Sequence, residues 1–345
     1  MAGTGYLRGD FETTVGSESN SSPTLSTKSI YVPSQVATFA LNPNPLERDD
    51  ELRGIDEPIA VLEEVHQPTW ALTTRAYPDV LGFLLKAQLG APTTTTGNSV
   101  ITDANGVVVP TGAYRHTWTA PFGPTGANPQ TTQWRASYVD QTVFLKAHGC
   151  AVNTMQFSVP ETGGVGVQAS GPLTYLERTA DPSLTASYES LTVPPFLNAN
   201  LAINSDLASA SGAEGDFNFQ IDSPVTAVSD FSSASRFPNQ MYKGDTSVLM
   251  SGSITRSLLK SAEWDALKAA TGFALKFTFT STAVIASAYP YKLIYSIGNA
   301  QYSGGGPQDL AARRRIGASF DWRAGYSGTA GNTTIQLVNA TASYT

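Results

Sequence analysis

The sequence predicts a mainly β protein with two short helices, one in each half of the chain. Three observations lead there. The composition is turn-rich, with 30 Gly and 21 Pro in 345 residues and only 14% charged side chains, below the roughly one quarter usual for soluble domains. Most apolar residues alternate singly with polar ones, which is the period of a half-buried strand. Only two stretches carry a helical pattern with both a start and a stop, residues 70–90 and 247–272.

In the first stretch (WALTTRAYPDVLGFLLKAQLG), a strand-like start leads to Pro78 as the first helical residue. There its missing N–H is no loss. Asp79 favours the helix dipole, and Gly90 is the stop. In the second (SVLMSGSITRSLLKSAEWDALKAATG), an alternating strand precedes a helix capped by Ser261, with Glu263 and Asp265 in its first turn and Gly272 at its end. Trp264 and Leu267 fall at i and i+3, a spacing expected to dock both on a sheet.

The remaining elements read as strands and turns. Residues 1–30 are polar and form either a disordered tail or an arm that orders on a neighbouring subunit. Residues 29–41 alternate as a strand. The charged loop that follows holds Glu47, Arg48, Asp49, Asp50 and Glu51, either solvated or docked on a partner. Residues 58–72 make two strands split at Gln67-Pro68. The threonine-rich insertion at about 91–112 carries a hairpin turn at Asp103-Ala104-Asn105-Gly106 and reads as a projecting hairpin. Strands follow at 136–146, 150–159 and 163–171. Residues 181–195 form a connector. Beyond it come strands at 196–204 and 216–222, a turn-rich loop at 228–245, and the second helix region. The chain ends with strands at 273–281 and 292–297, a sharp loop at Gly304-Gly305-Gly306-Pro307, and strands at 313–323 and 333–341.

The two halves repeat one order of parts, with helix-stop glycines Gly90 and Gly272 and closing tyrosines Tyr175 and Tyr344 in matching places. This divides the chain into an N-terminal arm (1–30), a first β domain (31–180, with the insertion) and a second (181–345).

A formal net charge of −7 speaks against a module that grips phosphate, which would be basic. The single Cys150 forbids an intrachain disulfide and suits a reducing site of synthesis, the cytoplasm. No basic-then-apolar leader opens the sequence, so no signal peptide is expected, and no apolar run is long enough for a membrane span. His66, His116 and His148 lie far apart without metal-ligand spacing. His148 and Cys150 share a strand face but lack a third, orienting group. No stretch has the spacing of a calcium loop or a phosphate cradle. No catalytic, cofactor or metal residue is therefore expected. Arg313, Arg314 and Arg315, the one basic cluster, face solvent or pair with an acidic loop such as 47–51 on another subunit. A capsid-decorating protein, a glycan-binding adhesin with Trp118, Trp134 and Tyr138 as its aromatic cluster, and a two-carboxylate hydrolase are the alternatives.

Three runs carry a family likeness: RGIDEPIAVLEEV with WALTTRAYPDVLGFLLKAQLG, HGCAVNTMQFSVPETGGVGVQASG, and FDWRAGYSGTAGNTTIQLVNATASY. In order and spacing they resemble the major tail tube proteins of long-tailed, siphovirus-type bacteriophages, in a larger form with a duplicated tube domain. The resemblance implies β-sandwich or barrel-like units, each flanked by one helix, whose inner sheets join around a lumen. Rings then stack into the tail tube of the virion, through which the genome leaves without specific binding. An acidic lumen would repel the phosphates. Two units per chain imply a trimeric ring with pseudo-sixfold symmetry, built by self-association and joined in the tail by tape measure, terminator and tip proteins. The loops at 42–54 and 231–244, each just before a helix region, are expected to touch the next ring.

Overall fold

Alternating sequence becomes antiparallel sheet in both halves. The computed structural model describes residues 5–12, 30–43, 45–46, 62–63, 66–120, 129–138, 143–160, 163–179, 193–197, 201–205, 217–229, 237–244, 249–256, 261–307, 318–325 and 333–344. The first half contains β1 (Gly5–Phe11), β2 (Ile30–Tyr31), β3 (Ser34–Ala40), β4 (Pro45–Leu46), β5 (Leu62–Glu63), β6 (Thr69–Arg75), α1 (Pro78–Leu89), β7 (Thr93–Thr96), β8 (Tyr114–Thr119), β9 (Thr132–Tyr138), β10 (Val143–Cys150), β11 (Thr154–Val159), β12 (Gly166–Pro172) and β13 (Tyr175–Thr179). The second contains β14 (Leu201–Ser205), β15 (Phe217–Asp222), β16 (Val225–Val228), β17 (Gln240–Lys243), β18 (Leu249–Arg256), α2 (Ser261–Ala269), β19 (Phe273–Ala286), β20 (Tyr289–Pro307), β21 (Ala318–Ala324) and β22 (Thr334–Asn339).

A large sheet runs β3-β6-β12-β11-β15-β18-β21-β20 and joins the halves where β11 pairs with β15. The far end of that run, residues 300–307 of β20, pairs with β21, while residues before 300 pair with β19 and β22. β14 extends this second layer beyond β19, and β8 and β7 extend it beyond β22. A separate five-stranded sheet, β13-β10-β9-β1-β2, belongs to the first half. One apolar cluster links both sheets and α1. The small pairs β4–β5 and β16–β17 stand apart.

α1 begins at Pro78 and ends at Gly90, whose φ of 90° suits glycine and whose N–H donates to the Lys86 carbonyl. Every residue of α1 is buried, as expected of a helix with apolar side chains on most faces. Phe83 packs on Phe11 and Trp134, with ring centroids 4.3 and 5.6 Å away. The buried Asp79 accepts hydrogen bonds from Thr341 Oγ1 (2.7 Å) and Asn339 Nδ2 (3.3 Å), which ties the helix start to the chain's end. Tyr344 lies over Gly82, where a Cβ would overlap its ring. The Tyr344 carbonyl accepts from Lys86 Nζ.

Several expectations change. Gly5–Phe11, placed in a tail or arm, is a strand paired along its length with β9, and Leu7 is in the core. In α2 the buried residues are Glu263 and Ala266; Leu267 packs half-buried on the core as expected, whereas Trp264 is 42% exposed. The helix is rotated from the expected docking face, because Glu263 reaches Tyr302 Oη (3.4 Å). α2 ends at Ala269, before Gly272. Ala270 takes the left-handed position (φ 50°), and Thr271 N–H donates to Ala266 O, closing a Schellman-type cap. Gly272 instead leaves room for the Asn299 side chain.

The glycines at 304–306 do not form a loop but continue β20 against β21. Gly305 has φ 123°, and a Cβ there would overlap the Ser319 carbonyl, so the local backbone approach needs glycine. The expected strand at 150–159 divides into β10 and β11, with residues 151–153 between them, and residues 240–243, assigned to a loop, form β17. The closing tyrosines do not match, since Tyr175 opens β13 while Tyr344 follows β22.

The insertion folds back and does not project. Its turn residue Asp103 is buried and contacts Lys292 Nζ (2.8 Å) and Tyr289 Oη (2.6 Å) on the second layer. Asn105 Nδ2 and Lys276 Nζ add bonds to Thr278 Oγ1 and the Ala104 carbonyl. Burial pushes the Asp103 pKa up, but the hydrogen bonds from Lys292, Tyr289 and the Val107 N–H outweigh it and hold the carboxyl below its usual value.

Two outcomes are expected. Asp103→Ala strands Lys292 in the interior and should cost about 3–5 kcal/mol, read by urea unfolding. A carboxyl with a depressed folded pKa contributes stability that is present above its unfolded pKa and fades as pH falls through the folded one. Protease cleavage within 97–113 should therefore rise only below about pH 4. Separately, Gly82→Ala should destabilise by about 1–3 kcal/mol through overpacking, and by clearly less in a Tyr344→Ala background, as a double-mutant cycle will show.

Candidate assembly interface

The eight-stranded run has two unlike faces, because alternate residues of each strand point to opposite sides. On one face, cross-strand neighbours form a row of Thr73, Gln168, Gln156, Gln220, Ser251, Arg323 and Gln301. A second row holds Arg75, Gly166, Ser158, Asn218, Ser253, Asp321 and Gly304. These positions are partly or fully exposed. Their side chains bond one another across the junction of the two halves: Gln156 Nε2 donates to Gln220 Oε1 (3.2 Å), Gln220 Nε2 to Asp222 Oδ2 (2.8 Å), and Thr154 Oγ1 to Asp222 Oδ1 (3.0 Å). Among the described residues the charges on this face are Arg75, Arg323, Asp222 and Asp321, so the two signs cancel.

The opposite face is apolar. Phe157 and Phe219 are direct partners across the junction and stack with centroids 4.2 Å apart and planes 7° apart. Tyr295 and Phe277 close over Phe219 at 4.9 Å each. Burying aromatics of this size contributes more than any single hydrogen bond on the polar face.

Both ends of the run are open. Among the described residues β3 pairs only with β6, and residues 301–307 of β20 pair only with β21. β3 is exposed at most positions, with Val36 58% exposed. An unpaired strand edge is a template for another chain.

The residues with potential for chemistry are dispersed. His116 Nε2–H donates to Asn339 Oδ1 and the Thr341 carbonyl, Thr94 Oγ1 lies at Nδ1, and burial pushes the imidazole pKa down. His66 stacks on Phe237 at 5.0 Å. His148 Nδ1 lies 3.6 Å from Glu12 Oε1. Cys150 is fully buried, and burial, followed by the charge of Glu12, raises its thiol pKa well above normal, which opposes nucleophilic use. Among the described residues no three His, Cys, Asp or Glu side chains are grouped to hold a metal ion, and no helix is long and apolar enough to cross a membrane. Trp118 and Trp134 are buried in the core, so they offer no glycan-binding surface. Glu47, Arg48, Asp49, Asp50, Glu51 and Arg313, Arg314, Arg315 lie outside the described residues.

A family model described as phage tail tube protein matches residues 4–324. The chain belongs to the phage tail tube protein family. It is thus a structural component of the bacteriophage virion, one that assembles with itself into the tail tube. No curated protein sequence matches it. In a tube-forming subunit the two open edges and the polar face are explicable as assembly features, which in a solitary β-protein would be an aggregation hazard. The sequence pointed to neither edge, because edge status depends on pairings between strands far apart in the chain. The Phe157–Phe219 contact had a weak signal in the matching alternation of TMQFSV and FNFQID.

Phe219→Ala should cost about 3–5 kcal/mol and, unlike most core truncations, loosen the contact between the halves, giving earlier exposure of residues 154–159 and 217–222 in hydrogen exchange.

Proposed function

We propose that each chain contributes two copies of one tube unit, that three chains close a ring, and that stacked rings form the conduit for DNA in a siphovirus-type tail. The observation that carries this reading is a repeated topology. β1, β3, β4, β5, β6, α1, β9, β10, β11, β12 and β13 follow the same order as β14, β15, β16, β17, β18, α2, β19, the first part of β20, its last part, β21 and β22. The pairings repeat too. The order β3-β6-β12-β11 is matched by β15-β18-β21-β20, and β13-β10-β9-β1 by β22-β20-β19-β14. Since β1 takes the place of β14, the first unit starts at the N-terminal strand and not at residue 31, and the second starts after β13.

In this reading the glutamine- and serine-rich face lines the lumen. An acidic lining is not needed. Balanced charge and neutral polar groups give phosphates no basic surface to condense on, and the genome slides past. The tape measure protein would occupy the same channel during assembly, with terminator and tip proteins at the ends.

Ring-to-ring contact falls to the loops at 42–54 and 231–244. They carry β4 and β17, one strand from each of the matching pairs β4–β5 and β16–β17. Arg313, Arg314 and Arg315 remain the candidates to meet Glu47, Asp49, Asp50 and Glu51 on a neighbour, beside Arg48.

Electron microscopy of the expressed protein should show tubes on the order of 100 Å across, with threefold symmetry and a sixfold-like outline. True sixfold symmetry with one chain per unit would overturn the trimer, and a monodisperse monomer would overturn the whole reading. Reversing Asp49, Asp50 and Glu51 to lysine should slow tube growth while leaving the melting temperature of the subunit unchanged. Normal growth would remove that loop from the contact.

A further inference from the structure

The contact between two units inside one chain can serve as a template for the contact between chains. Within the chain, β11 pairs antiparallel with β15, with Thr154 opposite Asp222 and Met155 opposite Ile221. The strand equivalent to β11 in the second half is the last part of β20, and the strand equivalent to β15 in the first half is β3. These are the two open edges. Matching the first residues of β6 and β18, Thr69 and Leu249, sets the correspondence, and the partner pairs carry it across the strands. Leu72 lies between Ala37 and Ala169 as Gly252 lies between Phe219 and Trp322. Met155 faces Ala169 as Tyr302 faces Trp322. Tyr302 thus stands where Met155 does, and Phe39 where Ile221 does.

We infer that β3 of one copy pairs antiparallel with residues 300–307 of β20 in the next copy, in the register that sets Tyr302 opposite Phe39 and Gln301 opposite Ala40. This rests on the two-unit tube reading and adds the strand partners and their register. The occupant of each edge is a second copy of the same chain, head to tail, so the contact propagates and closes only as a ring. Two features fit it. The register places Val36 opposite Gly306, and the Trp264 ring lies 3.8 Å from the Cβ position of Gly306. Val36 and Trp264, at 58% and 42% exposure, are thereby brought to the same end of the seam. The stacked Phe157 and Phe219 of the internal junction are replaced by Gly305 and Ala37, a lighter seam suited to subunits that must first exist apart.

The Ser223 N–H donates to the Asn153 carbonyl, so the pair Asn153–Ser223 is hydrogen-bonded and its neighbour Thr154–Asp222 is not. The equivalent pair Gln301–Ala40 is then a non-hydrogen-bonded one, with Cα atoms about 4.5 Å apart, within disulfide reach. In a single chain the two residues sit on opposite edges of eight strands, about 34 Å apart at ~4.8 Å per strand. No intrachain bridge can form.

The test is the full-length double variant Ala40→Cys/Gln301→Cys, assembled, checked by electron microscopy, then oxidised and run on a non-reducing gel. The monomer band should give way to covalent dimer and closed trimer, while Val36→Cys/Gln301→Cys, displaced by four residues, stays monomeric. Assemblies that cross-link only through the displaced pair, or through neither, overturn the seam and leave the tube reading standing. Wild-type protein that never assembles overturns both. If the cysteine variants do not fold, a density map of wild-type tubes decides the matter, since the strand beside β3 is read directly and any strand but β20 refutes the pairing.

Discussion

The backbone pairing of β11 with β15 is the contact on which the rest depends. It carries hydrogen bonds from strand to strand across a point where the chain has run through β12, β13 and β14 in between. Its apolar side is packed by Phe157, Phe219, Phe277 and Tyr295, and its polar side by the chain of bonds from Gln156 through Gln220 to Asp222. Without it the two halves would each end in a further exposed edge. With it they share one continuous sheet, and among the described residues the eight-strand run ends at β3 and at the last part of β20.

The helices differ in how they serve that sheet. α1 is buried on every side and is fastened to the C-terminus through Asp79, Lys86 and Gly82. α2 is short and amphipathic, with Glu263 turned in and Trp264 turned out. The first half carries a whole additional sheet over its helix, whereas the second half has its counterpart layer joined to the main sheet through the long strand β20. The insertion, fixed by the Asp103–Lys292 pair, contains β7, which with the following β8 extends that second layer. The first half thus supplies strands to the second.

Local features were legible in the sequence. Pro78, Asp79 and Gly90 marked α1 correctly because each acts through its own backbone geometry. Alternation marked most strands because burial on one face leaves a period of two. What failed had a physical cause of a different kind. Gly304–Gly306 has the composition of a turn, but the glycines are there to let β20 approach β21 closely. Gly5–Phe11 has a weak pattern and becomes a strand because β9 and β2 lie ready on either side. Trp264 looked like a docking residue until Glu263 took the inward position. For the candidate interface, the chain's net charge of −7 gave no sign that the exposed face of the sheet has balanced charge among its described residues. Net charge is a sum over the whole chain and says little about one face.

The glycines of β20 have a kinetic consequence. Glycine has little preference for strand conformation and gives a neighbour no side chain to hold. An edge made of it captures a passing strand poorly, so two subunits meeting in dilute solution part again quickly. In the proposed ring each subunit would be held at both edges at once, and losing one would require breaking two seams together. Assembly of that kind would be all or none, with a subunit pool that stays unpolymerised at low concentration and then commits over a narrow range.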